Sequence, residues 1–275
     1  MYEKVSKTMD ELMEYLLFEV KSRGLPTDEF RMQKLIFKIK MELGEDHELY
    51  PLLPFYWYVK GPYSEVATVS YEKKLPQINT FKREILKDYP EIEDISDNIL
   101  EKREYFINEI DRDIYMQYAP YKFMYLYKYK IYNVAKASDE VDFDVEGLID
   151  EIYVCEGNLA KEEYFFDFNT NFAKLSIYLE LIRKAGNFEK YWNFLQKPVT
   201  LTWKTFAKGV RIYFKDDYYN DNVEQWDKEF EASLNELSAL VKKTKTLINF
   251  DDYPKNNYTA KEVNMLDSTI GAYLR

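Results

Sequence analysis

A mainly α-helical fold, a multi-helix bundle in which a small β element follows an N-terminal helical hairpin, is what the sequence predicts. Three observations carry that expectation. Apolar residues recur at three- and four-residue spacing over most of the 275 residues, which is the period of a helix with one buried face. The 26 Tyr and 18 Phe far outnumber the 8 Gly and 9 Pro, so bulky amphipathic side chains dominate and tight turns are few. One short run, Phe55-Tyr56-Trp57-Tyr58-Val59, has the aromatic and β-branched character of a strand.

The first helix is expected from Thr8 as N-cap to Lys21, with Met9, Leu12, Met13, Leu16, Leu17 and Val20 on its apolar face. Gly24 ends it. Thr27 is expected to cap the second helix, with Asp28 and Glu29 in the dipole-favoured first turn and Gly44 as the stop. Met32, Leu35, Ile36, Ile39 and Leu43 form its core side. After the aromatic strand, Gly61-Pro62 is expected to end extended structure and Ser64 to cap a short helix.

The stretch from Lys73 to Asp94, punctuated by Pro76 and Pro90, is the expected boundary between a first region, 1–90, and an acidic helical region, 91–275. Ile95, Ile99, Phe106, Ile110 and Ile114 then continue the helical period up to Pro120. Helices are expected over 121–137, 144–155, 159–168 and 170–185, the last closed by Gly186. In the first of these, Tyr121, Tyr125, Tyr129 and Tyr132 share a face, expected to be core rather than an interaction surface. Residues 202–215 read as helix or, at Arg211–Phe214, as strand. Val223, Trp226, Phe230, Leu234, Leu237, Val241 and Ile248 form a long seam, opening at Asp221 with Glu224 in a capping-box arrangement. The tail after Asp251 lacks periodicity and is expected to be a docked extension or partly disordered.

Composition narrows the function classes. A single Cys155 excludes an internal disulfide, and His47 as the only histidine excludes a Cys/His zinc set within one chain. The N-terminus lacks a secretory pattern and no run approaches a membrane span, so a cytoplasmic protein with no membrane partner is expected. The net charge of −11 is uneven. Residues 1–90 carry 14 Lys+Arg against 15 Asp+Glu, and the remainder 24 against 34. An acidic surface repels phosphate backbones, so nucleic acid is a disfavoured partner for the larger part.

No Gly-rich phosphate loop, nucleophile elbow or metal-binding helix occurs, so no catalytic or metal residue, and no cofactor, is expected. Asp142, Asp144, Glu146, Gly147, Ile149 and Asp150 imitate the start of a calcium loop, but Tyr153 stands where the closing acid belongs. An Asp142 or Asp144 helix cap explains those acids more simply. A His47/Cys155 nucleophilic pair finds little support, His47 lying in a charged loop and Cys155 on an apolar helix face.

The most specific feature pairs Met32-Gln33-Lys34-Leu35-Ile36-Phe37 with Phe55-Tyr56-Trp57-Tyr58-Val59-Lys60-Gly61-Pro62-Tyr63-Ser64. In order and separation these resemble the SocA/Panacea-like family of antitoxin and adaptor domains, over about residues 5 to 72. The resemblance implies a mainly helical fold, binding to a toxin-like or regulatory protein partner, and no catalysis. The expected partner-binding residues are Arg31, Lys34, Lys38, Tyr58, Gly61, Pro62, Tyr63 and Ser64. Bottom-up, Gly61 permits a backbone conformation closed to other residues, Pro62 fixes the next φ, and Ser64 caps a helix. Such a turn stabilises the fold or offers a helix start to a partner or anion. Arg31, Lys34 and Lys38 fall on one face of the second helix, expected to be solvated, so Lys34→Ala should scarcely change stability. Two other readings stay open: a nucleic-acid-associated regulator using that basic face, and an enzyme with an unrecognised carboxylate site.

Overall fold

The computed structural model describes residues 2–78, 83–137 and 144–248. Its helices are α1 (Tyr2–Ser22), α2 (Glu29–Leu43), α3 (Glu65–Lys74), α4 (Glu84–Asp88), α5 (Glu91–Leu100), α6 (Ile110–Tyr118), α7 (Lys122–Leu126), α8 (Asn133–Ala137), α9 (Val145–Glu156), α10 (Phe166–Lys184), α11 (Phe188–Tyr213) and α12 (Val223–Lys245). The sheet among the described residues is a two-stranded hairpin of β1 (Tyr56–Tyr58) and β2 (Gly61–Tyr63). The mainly helical expectation with a small β element holds.

Contacts gather the chain into two compact units, one of Met1–Tyr118 with Tyr213–Val223, the other of Ala119–Ile212 with Glu224–Arg275. The position near residue 90 proposed as a boundary falls inside the first unit.

In the first unit α1 packs along α3, and α2 packs against α5 and α6. Helix α1 starts earlier than expected, and Thr8 is buried within it rather than capping it. Asp28, not Thr27, caps α2, its Oδ1 accepting from the Arg31 amide at 3.1 Å. A carboxylate there satisfies an orphan amide and meets the positive helix end at once. Gly44 ends α2 at φ +82°. Gly61-Pro62 does not end extended structure; it begins the return strand, with Tyr56 opposite Tyr63 and Tyr58 opposite Gly61. Pro62, which cannot donate to the ladder, pairs with Trp57. The isoleucine period breaks after α5 and resumes in a π-helical turn, Tyr105–Glu109, that leads into α6.

The second unit is built around aromatic rings. Phe206 of α11 meets Phe123 of α7 at 4.5 Å between centroids, Phe168 of α10 at 5.0 Å, and Phe165 at 5.1 Å. Between α7 and α8 the chain runs through a π-helical segment, Tyr127–Tyr132. This corrects the expected tyrosine core: Tyr121, Tyr125, Tyr129 and Tyr132 are half-buried, whereas Phe123, Tyr127, Ile131 and Ala135 are buried. From Tyr127 onward the wider turn shifts the angular register, so a constant 3.6-residue period picks the neighbouring face for Tyr129 and Tyr132. Asp144 does cap α9, accepting from the Gly147 amide at 2.9 Å. Asp142 and Phe143 of the calcium-like run lie outside the described residues, as does the tail after Asp251.

Residues 159–165 are not helical until a 3₁₀ turn at Glu163–Phe165, and Thr170 lies inside α10 rather than at its start. The ambiguity at 202–215 resolves as helix through Tyr213, in an α11 that contains Pro198. Gly209 of α11 lies so close to two rings that a Cβ there would stand 2.7 Å from Phe165 Cε1 and 2.9 Å from Phe230 Cε2. Helix α12 buries Trp226, Phe230, Leu237 and Val241 of the expected seam. A 3₁₀ helix, Asp217–Asn222, precedes it, so no Asp221 capping box opens α12.

Candidate functional site

The paired motifs come together in the first unit, where α2 holds the β2 strand and the turn after it. Gln33 mimics a backbone strand: its Nε2 donates to the Ser64 carbonyl at 2.9 Å, while the Ser64 amide donates to its Oε1 at 3.0 Å. That side chain is 3 % exposed, so both of its polar ends are paid in full by partners a strand neighbour would otherwise supply. Nε2 also donates to Thr68 Oγ1 at 2.9 Å, and that hydroxyl donates to Glu29 at 2.6 Å. Ser64 itself caps α3, accepting from the Ala67 amide at 3.2 Å.

Lys34 is the central correction to the sequence reading. It is 1 % exposed. Its ammonium donates to the Lys60 carbonyl and, at 3.3 Å, to the Pro62 carbonyl, and pairs with Asp111 at 3.4 Å. Gly61 lies directly against it. At φ +91° this residue occupies backbone space closed to most side chains, and a Cβ would stand 2.6 Å from Lys34 Nζ and 2.9 Å from the Tyr115 ring. Gly61 is thus required twice, by conformation and by approach.

The other cations of α2 are likewise engaged. Lys38, 6 % exposed, donates to Asp113 at 3.2 Å, Gln117 at 3.0 Å and the Tyr118 hydroxyl at 3.2 Å. Burial alone would lower its pKa, yet the hydrogen bonds with Tyr118 and Asp113 carry it above the usual lysine value. Arg31 is half-buried, donating to the Ile107 carbonyl at 3.0 and 3.2 Å and to Asp28 at 2.7 Å. A solvated basic face on α2 is therefore not what forms. The sequence offered no sign of this, because the acids that neutralise the face, Asp111 and Asp113, lie some 75 residues on among 49 carboxylates.

Of the remaining expected residues, Gly61, Pro62 and Ser64 are buried, while Tyr58 and Tyr63 are half-buried. Beside them opens a cleft of 240 Å³ lined by Glu29, Phe30, Gln33, Lys34, Lys60, Pro62 and Tyr63. Phe30, absent from the sequence-derived set, is 39 % exposed, and Lys60 is exposed. Both could have been suspected: Phe30 precedes the core stripe of α2 out of phase, and Lys60 is the outer residue of a hairpin tip.

On the opposite edge of the hairpin, Lys40, which had no assigned part, is 2 % exposed and donates to the Leu53 carbonyl at 2.9 Å and to Asp216 at 2.6 Å. Burial draws its pKa below the ordinary lysine value, with the Asp216 carboxylate opposing.

His47 is engaged by Glu91 and accepts from the Leu49 amide at 3.1 Å. Cys155 is buried, which pushes its thiol pKa up, away from the reactive thiolate. Among the described residues, no group of three or more His, Cys, Asp or Glu is arranged to hold a metal ion, and no helix is long and apolar enough to cross a membrane. Compared with protein-family models, curated proteins and solved structures, the chain gives no match in any of the three.

Proposed function

We propose that this chain is a protein-binding module of antitoxin or adaptor type, acting in the cytoplasm, and that its recognition surface is the rim of the cleft beside the Gly61–Ser64 turn. The observation that carries the reading is the division of labour around that cleft. Its floor is fixed by buried hydrogen bonds from Gln33 and Lys34, while its rim offers an exposed aromatic, Phe30, and an exposed cation, Lys60. A preformed surface with an aromatic anchor and a polar rim suits protein recognition, because little ordering remains to be done on binding. The resemblance to SocA/Panacea-like domains supports the same class.

A nucleic-acid-associated regulator would need Lys34 and Lys38 freed from Asp111 and Asp113, at the cost of leaving carboxylates unpaired. Co-purification from the native host tests the proposal. A chain carrying Phe30→Asp and Lys60→Glu should lose at least one protein that the parent captures, at unchanged thermal stability. Retention of every captured protein would reject this rim as the recognition surface.

A further inference from the structure

The hairpin edge away from β2 is occupied by the chain itself. Trp57 donates its amide to the Phe214 carbonyl at 3.0 Å, and Asp216 donates its amide to the Phe55 carbonyl at 2.9 Å, so that Lys215 pairs antiparallel with Tyr56. Within Tyr213–Val223 the chain thus bridges the β1 edge at Lys215 and then turns into the 3₁₀ helix Asp217–Asn222. Two side chains of this segment enter built sockets. Asp216 Oδ2 accepts from the buried Lys40 ammonium and from the Phe55 amide, both at 2.6 Å. Three residues on, the Tyr219 hydroxyl accepts from the Glu65 amide at 3.1 Å and lies 3.4 Å from Ser64 Oγ, at the amino end of α3.

The segment is held by these polar contacts and by the Tyr219 ring, which lies 4.8 Å from that of Tyr56. Within 213–223 only Tyr219 is buried, and Tyr213 and Phe214 are exposed at 51 % and 36 %. A segment with so little apolar surface in the core belongs to the least stable part of a structure. The sockets beneath it behave oppositely. Without a carboxylate, the Lys40 ammonium would keep the Leu53 carbonyl and the face of the Tyr50 ring, and the amides of Phe55, Trp57 and Glu65 would lose the acceptors this segment supplies. Such a surface favours exchange of one occupant for another over standing open.

We infer that the edge of β1 and the amino end of α3 form a docking site for a peptide segment that runs extended up to a carboxylate and then turns to place a phenol three residues later, and that Tyr213–Val223 fills it in cis. Docking begins as a short strand addition, with main-chain bonds to Phe55 and Trp57 supplying affinity and the two sockets supplying specificity. The site is separate from the Phe30 and Lys60 rim, so the two ideas fail independently.

The test uses the full chain with its own strap weakened by Asp216→Ala and Tyr219→Ala, leaving every socket residue intact. A fluorescent peptide of residues 213–223 is titrated and followed by polarisation. The folded variant should bind this peptide at least tenfold more tightly than the parent chain does, and a peptide carrying the same two alanines should not bind. Asp216→Asn, which keeps the side-chain size, repeats the test should the double variant not fold. Equal binding by variant and parent, or equal binding of the alanine peptide, overturns the inference. Failure of both variants to fold also overturns it, by showing the strap to be an integral part of the fold.

Discussion

Lys34 shows how burial changes the meaning of a charged residue. On a solvated helix face its removal would shift stability by no more than about 0.5 kcal/mol. Buried between two carbonyls and Asp111, it behaves as a strut. Lys34→Ala would leave those acceptors unpaired, and breaking a buried pair costs about 3 kcal/mol. Urea denaturation checks this, and a loss below about 0.5 kcal/mol would return Lys34 to the surface. Glu156 makes the complementary case for pH. Burial raises its pKa above the ordinary carboxylate value, with the Ser176 hydroxyl opposing. The folded chain therefore binds a proton there more tightly than the unfolded chain. That contribution is full below about pH 4.3, the ordinary glutamate pKa, and is lost as pH rises through the folded value. Glu156→Gln, which imitates the protonated form, should raise the melting temperature at pH 7 and leave it nearly unchanged at about pH 4. An equal shift at both pH values would remove titration as the cause.

At the scale of elements, the parts legible in the sequence are those whose signal is local. Ser64 and Asp144 as caps, and Gly44, Gly61 and Gly186 as left-handed positions, follow from neighbours within four residues, and they stand where the pattern puts them. The π-helical segments were not legible, because an inserted turn has no fixed composition and displaces every later residue around the axis. Nor was the part played by Gly209, which is the gap through which two rings approach. Gly209→Ala sets a gain in helix propensity of about 1 kcal/mol against overpacking of about 1 to 3 kcal/mol. With Phe165 and Phe230 both under 3.0 Å from the new methyl, the variant should lose about 1 kcal/mol in a denaturant titration. A stabilised variant would show that the rings have room to move.

Across the whole molecule, the candidate site was half legible. The sequence brings the Gln33-Lys34 helix and the Gly61–Ser64 turn into one argument, and the structure brings them into contact. What could not be read is which side of that contact faces outward, since this depends on acids of α6 far along the chain. The strap at 213–223 was hidden for the same reason: Asp216 finds Lys40 across 176 residues. Lys34, Gln33 and Gly61 hold the turn, and Phe30 and Lys60 are exposed at its rim, the surface we propose for a partner. Photocrosslinking tests that assignment most directly. A photoreactive phenylalanine placed at Phe30 should capture a discrete protein in the native host, and the same group at the exposed Val134 should not. Equal capture from both positions, or none from Phe30, would contradict it.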